Sequence, residues 1–190
     1  MIDITLKITG EQLKRAQQLL RAYPVRMPML MADVLNRAIA KARTETVSAV
    51  TARYQIKAGD VRTTLHLVHA TRNRLIARLS SKGARIPLYQ FTVIPRGIKR
   101  PTRPKAGLKV GVLRGSRKPM MHAFVEEMKS GHIGVFTRRG TGRFPIEEKF
   151  SPDVPSMVGY KTVIDRIEAQ AVAMYEKRLD HAISQLEASL

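Results

Sequence analysis

The chain has 190 residues and no cysteine, and its 34 Lys plus Arg stand against 15 Asp plus Glu, a formal net charge of +19. The missing cysteines exclude disulfides and thiolate metal sites, and 44% apolar residues exclude a chain disordered throughout. A surplus of this size repels itself and points to a polyanion or an acidic protein surface as partner. No run of about 18 apolar residues occurs, so no membrane span is expected. The start, Met1-Ile2-Asp3-Ile4-Thr5, alternates apolar and polar residues and lacks the charged head and apolar block of a signal peptide.

Ile2, Ile4, Leu6 and Ile8 alternate with polar residues, the period of a half-buried strand. Thr9 then precedes Gly10-Glu11-Gln12, a capping-box pattern, and Leu13, Ala16 and Leu20 mark one face of a helix that should stop before Pro24. A longer helix is predicted from Pro28 to about Arg53. Its stripe is Leu30, Val34, Leu35, Ala38, Ile39, Ala42, Ala49 and Val50, and it would span roughly 39 Å at 1.5 Å per residue. Asp60 is placed to cap a short helix over 61–67.

The texture then changes. Residues 70–80, 86–94, 107–113 and 122–137 hold short apolar or alternating runs, broken by Lys82-Gly83, Arg96-Gly97, Arg114-Gly115 and Ser130-Gly131. An antiparallel strand meander is predicted there. From about Pro155 the helical period returns in Val163, Ile164, Ile167, Ala171, Met174, Ala182, Ile183 and Leu186. The predicted class is α+β, with N-terminal helices and a long C-terminal helix packed on an antiparallel sheet that carries an extended basic loop. A single domain over 1–190 is expected: a strand and helices over 1–67, the meander over 68–150 with the basic loop at about 95–119, and the last helix over 155–190.

Positive charge is concentrated in the middle. Residues 72–143 contain 18 Lys and Arg and only Glu126 and Glu127 as acids, so this segment holds a surplus of 16 of the chain's +19. The densest part, 95–119, carries Arg96, Lys99, Arg100, Arg103, Lys105, Lys109, Arg114, Arg117 and Lys118 and no acid. Pro95, Pro101, Pro104 and Pro119 argue for an extended arm there. With Arg138, Arg139 and Arg143 these are the candidate contacts to DNA or to an acidic partner. No aromatic residue lies between Phe91 and Phe124 to stack on bases, so nucleic acid would be met through its phosphates. A solvated charged face is the plain alternative.

No arrangement of residues demands catalysis. His66 and His69 are three apart without a third ligand. Gly140-Thr141-Gly142 lacks the spacing of a phosphate-binding loop and reads as a tight turn. Glu147-Glu148-Lys149 followed by Pro152-Asp153 has the letters of a nuclease site in reversed order and too few converging acids. Met27, Met29 and Met31 flank Pro28 as core filling or as an adaptable surface. No enzyme, cofactor or metal is expected.

The stretch Gly142-Arg143-Phe144-Pro145-Ile146-Glu147-Glu148-Lys149-Phe150-Ser151-Pro152-Asp153-Val154-Pro155-Ser156-Met157-Val158 resembles the segment before the C-terminal helix in the phage minor tail protein Z family, the tail-completion proteins of long-tailed phages. Asn36-Arg37-Ala38, Val61-Arg62, the Lys/Arg-rich loop and Ala123-Phe124-Val125 are similar in order, so the likeness runs from about residue 28 to 186. The resemblance implies a structural protein that completes the head-proximal end of the tail and joins tail to head. The implied form is a homo-oligomeric ring with basic residues near genomic DNA in the lumen. It also implies other tail and neck proteins as partners, such as the tail terminator and the head–tail connector. The chain would reside in the virion tail or neck, and in the host cytoplasm during assembly. The competing expectation, from the charge alone, is a free-standing nucleic-acid-binding protein without sequence preference.

Overall fold

The structure, a computed structural model, describes residues 2–4, 18, 21–22, 25–97 and 107–188, with the side chains of 2–4 and 186–188 left aside. Helix α1, Arg26–Arg53, begins two residues before Pro28, which sits harmlessly in the first turn. Every residue of the stripe predicted for it is buried except Leu30, which is half-buried. Met27 and Met31 belong to that core while Met29 is 59% exposed, so two of the three methionines fill space. The predicted first helix falls largely outside the described residues; within them Gln18, Arg21 and Ala22 are helical. The predicted strand over 2–8 is described as β1, Ile2–Ile4, and no further.

The helix predicted over 61–67 is displaced. Helix α2 is Ala58–Thr63, with Asp60 inside its first turn instead of at its cap. Thr64 folds its hydroxyl back onto the Val61 carbonyl at 2.8 Å, and the chain leaves as strand β2, Leu65–Val68. Leu65 and Leu67 alternate with exposed residues and pair with β3, Arg78–Ser81, so tertiary pairing prevails over a weak helical signal. Strand β3 also pairs with β1, giving a first antiparallel sheet in the order β1-β3-β2.

The meander divides into two further sheets. A 3-10 turn at Leu88–Gln90 leads into β4, Thr92–Ile94. It is followed by β5, Leu108–Gly111, and β6, Lys118–Met120, and the sheet is ordered β4-β5-β6. Strands β7, Phe124–Glu127, β8, Ile133–Arg138, and β9, Ile146–Glu148, make the last sheet in chain order. The turns predicted at Arg114-Gly115 and Ser130-Gly131 both hold a glycine at positive φ, +74° and +80°. The basic loop predicted over 95–119 is correspondingly narrower. Residues 108–111 and 118–120 are sheet, with Pro119 tolerated on the edge strand.

Residues 154–188 form two helices, because the chain breaks at Gly159-Tyr160. Asp153 caps α3, Val154–Val158, by accepting from the Ser156 amide at 3.1 Å; α4, Lys161–Ala188, follows. Val163, Ile167, Ala171, Tyr175, Leu179, Ala182 and Ile183 are buried along α4. They meet the α1 stripe, where fully buried Ala38 and Ala42 allow close approach of the two backbones. Burying each large side chain in this seam contributes about 1.5–3 kcal/mol. One core gathers α1, α3, α4 and Leu79 of β3; a second joins Val93 and Val110 to Val125 and Val135 across the two later sheets.

The two cores are stitched by backbone. The end of α1 runs on into a sheet-like contact: the Gln55 amide donates to Val112 at 2.8 Å and the Arg114 amide to Arg53 at 2.9 Å. The Gln55 side chain donates to the Leu113 carbonyl at 3.3 Å and accepts the Thr92 hydroxyl. Asn36 clamps the 70–74 turn to α1, its amide donating to the Ala70 carbonyl at 3.0 Å and accepting the Ala70 N–H at 2.8 Å.

Candidate polyanion and partner interface

The described cations near β4–β9 are carried by strands and turns whose inner faces are apolar. On β5 the alternation Leu108, Lys109, Val110 puts Lys109 on the outer face, in register with Ile94 and Pro119. The β5–β6 turn presents Arg114 and Arg117, and Lys118 opens β6; all three are exposed. Arg96 is exposed just past β4, its guanidinium 4.9 Å from the Tyr89 ring. Lys99, Arg100, Arg103 and Lys105 lie outside the described residues. Among the described residues, no lysine or arginine of 72–143 forms an ion pair.

The turn between β8 and β9 is organised by one of its own arginines. Arg138 donates from Nη1 to the carbonyls of Gly142 at 3.0 Å and Arg143 at 2.6 Å, and its guanidinium lies 5.4 Å from the Phe124 ring. Its charge is spent on shaping the loop. Arg139 and Arg143 are left exposed, the Arg143 guanidinium 5.6 Å from a Phe144 ring that is 69% exposed.

The structure brings some of the predicted residues together and adds others. Arg96 and Arg114 share an open concavity of about 610 Å³ with Lys57. Arg114 also borders a cavity of about 410 Å³ with Arg53 of α1 and Arg166 of α4, two residues outside the candidate contacts read from the sequence. Arg114 Nε donates to the Thr51 carbonyl at 2.5 Å. Arg166 reaches Glu45 at 3.4 Å and Ser48 at 3.3 Å, and the Arg53 guanidinium lies 3.8 Å from the Tyr160 ring. Sequence position gave no sign of this meeting, since the three arginines are separated by about sixty and fifty residues and converge through tertiary packing alone.

The acids and histidines weighed for chemistry are dispersed. Glu147 takes Lys149 at 2.9 Å, Glu148 takes His132 at 2.8 Å, and Asp153 is a helix cap. The Lys149 hydrogen bond holds the Glu147 carboxyl below its ordinary range, with the charge of Arg139 adding to the effect. His66 lies on β2 and not on a helix, so it shares no helical face with His69. Among the described residues no three His, Asp or Glu side chains are grouped to hold a metal ion, and no helix is long and apolar enough to cross a membrane.

The family model for Prophage minor tail protein Z (GPZ) matches residues 13–188. The chain belongs to the prophage minor tail protein Z family. No curated protein and no solved structure matches it. Membership in the minor tail protein Z family makes this a structural component of a phage tail, and so a virion protein that works against other virion proteins. The minor tail protein Z family is one of structural proteins, not typically enzymatic.

Proposed function

We propose that this minor tail protein completes the head-proximal end of the tail and joins tail to head. It acts as a single domain repeated in a homo-oligomeric ring, with its basic surface bordering the genomic DNA in the lumen. Its neighbours are the tail terminator and the head–tail connector. What carries the reading beyond the family is the state of the charge: eighteen cations against two acids over 72–143, with the described ones unpaired among the described residues. Repeating such a surface around a closed axis multiplies the field at the centre, where a polyanion passes.

The test is genetic and structural. Phage lacking the gene should build tails that give no infectious particles, and negative-stain images of the purified protein should show rings. Changing Arg96, Lys99, Arg100, Arg103 and Lys105 together to glutamine should leave the rings intact and lower infectivity. Normal titres from the deletion phage would refute the proposal.

A further inference from the structure

Two cavities meet beside the end of α1. The cationic one, about 410 Å³, is bordered by Arg53, Arg114 and Arg166, with Thr162 and Ser116 as polar neighbours. The second, about 380 Å³, is apolar, walled by Tyr54, Leu88, Val110, Val112, Met120 and Phe150. Arg53, Leu113 and Ser116 line both, so the two are lobes of one groove. Tyr160 and Phe150 stand at the apolar lobe 45% and 44% exposed, and large apolar side chains left open around a concavity mark a contact surface.

We infer that this groove binds an extended acidic peptide segment of a partner polypeptide, with one aromatic or leucine side chain in the apolar lobe and carboxylates in the cationic lobe. Charge complementarity selects the occupant. Among the described residues lining the cationic lobe there is no acid; from outside it Glu45 meets Arg166 at 3.4 Å and is shared with Lys41 at 2.8 Å. Arg53 Nε is buried and has no hydrogen-bond partner among the described residues. The apolar lobe argues for a peptide over nucleic acid. Hydrocarbon walls accept a hydrocarbon side chain, whereas a sugar-phosphate backbone has nothing to place there. Strand addition is disfavoured, because β6, the edge strand at the groove, carries Pro119 and lacks that amide donor. Recognition therefore rests on side chains. The inference holds whether or not the basic surface borders DNA.

The full-length protein can be titrated into a short fluorescein-labelled peptide in which phenylalanine and leucine are flanked by glutamates, with fluorescence anisotropy as the readout. Arg114→Gln and Arg166→Gln should each weaken binding about tenfold, the scale of one charge-assisted contact. Ser116→Trp, at an exposed position where the lobes join, should abolish it while leaving the far-UV circular dichroism unchanged. Replacing the peptide's phenylalanine and leucine by serine should also abolish it. Arg62→Gln or Lys177→Gln, single exposed cations that line neither lobe, should change it less than twofold by the same scale. The inference is overturned by no binding, by equal loss from either of these two variants, by indifference to the serine peptide, or by a labelled DNA duplex whose binding Ser116→Trp abolishes.

Discussion

On α1, Arg37 holds Asp33 at 2.8 Å and Lys41 holds Glu45 at 2.8 Å, and Arg166 of α4 leans on the same Glu45. On the sheets, Arg96, Lys109, Arg117 and Arg143 stand exposed with no ion pair among the described residues. Exposed pairs one helical turn apart contribute only about 0.3–0.5 kcal/mol each, so the difference matters little for stability. Its effect is on the field. The helix pair comes close to balance, nine cations against seven acids, and derives its stability from apolar burial, while the sheet region keeps a large surplus of positive charge. One region holds the fold together and the other carries the unbalanced charge.

The sharpest way to break this division is to damage the seam. Ile39→Ala removes a fully buried side chain between α1 and α4 and should cost about 2–5 kcal/mol, read as a fall in the urea midpoint. Protein still folded under native conditions should bind polyanions as before. A loss of binding in step with stability would merge the two regions into one.

A smaller effect is expected where the regions overlap in a single residue. Arg138 looks from sequence like any other cation of the segment, yet it shapes the β8–β9 turn through two carbonyls. Arg138→Gln should cost about 1 kcal/mol of stability and speed tryptic cleavage after Arg139. A variant as stable and as protease-resistant as the parent would return Arg138 to the free charges.

Smaller again is the cap of α3. Asp153→Ala should lower stability by about 1 kcal/mol, measured by thermal melting. The hydrogen bond from Ser156 holds the Asp153 carboxyl below its ordinary range. A carboxyl depressed by folding contributes above its unfolded value, near 3.9, and that contribution is lost as pH falls through the lower folded value. The difference between parent and variant should thus be constant above about pH 5 and close in strong acid.

How much of this was legible depended on the range of the forces involved. Helical periods are local, so α1 could be read directly, down to Ala38 and Ile39; on α4 Val163, Ile167, Ala171, Ala182 and Ile183 were read, but Ile164 and Met174 are half-buried and the buried Tyr175 and Leu179 were missed. Strands of three residues carry no period. β6 holds a proline and β9 two glutamates, and both form only because a neighbour offers a register. The same limit applied to function. The surplus of charge was visible in composition, but the separation of Arg138 from Arg139 and Arg143 required the fold of the turn. The convergence of Arg53, Arg114 and Arg166 required the docking of two helices against a sheet.

Removing the two exposed charges of the β8–β9 turn should leave one quantity almost unchanged and shift another clearly. Arg139 and Arg143 are exposed, and neither side chain is seen to hold the turn that Arg138 shapes. Arg139→Gln with Arg143→Gln should therefore leave stability within about 0.5 kcal/mol of the parent. If both meet phosphates, the slope of log affinity for duplex DNA against log salt should become shallower by about 2, near one unit per lost contact. Stability is the control that gives the slope its meaning, because a destabilised variant would lose binding at every salt concentration alike. An unchanged slope at unchanged stability would show that these arginines do not meet DNA. It would leave the acidic surface of a neighbouring protein as the partner for the charge on this turn.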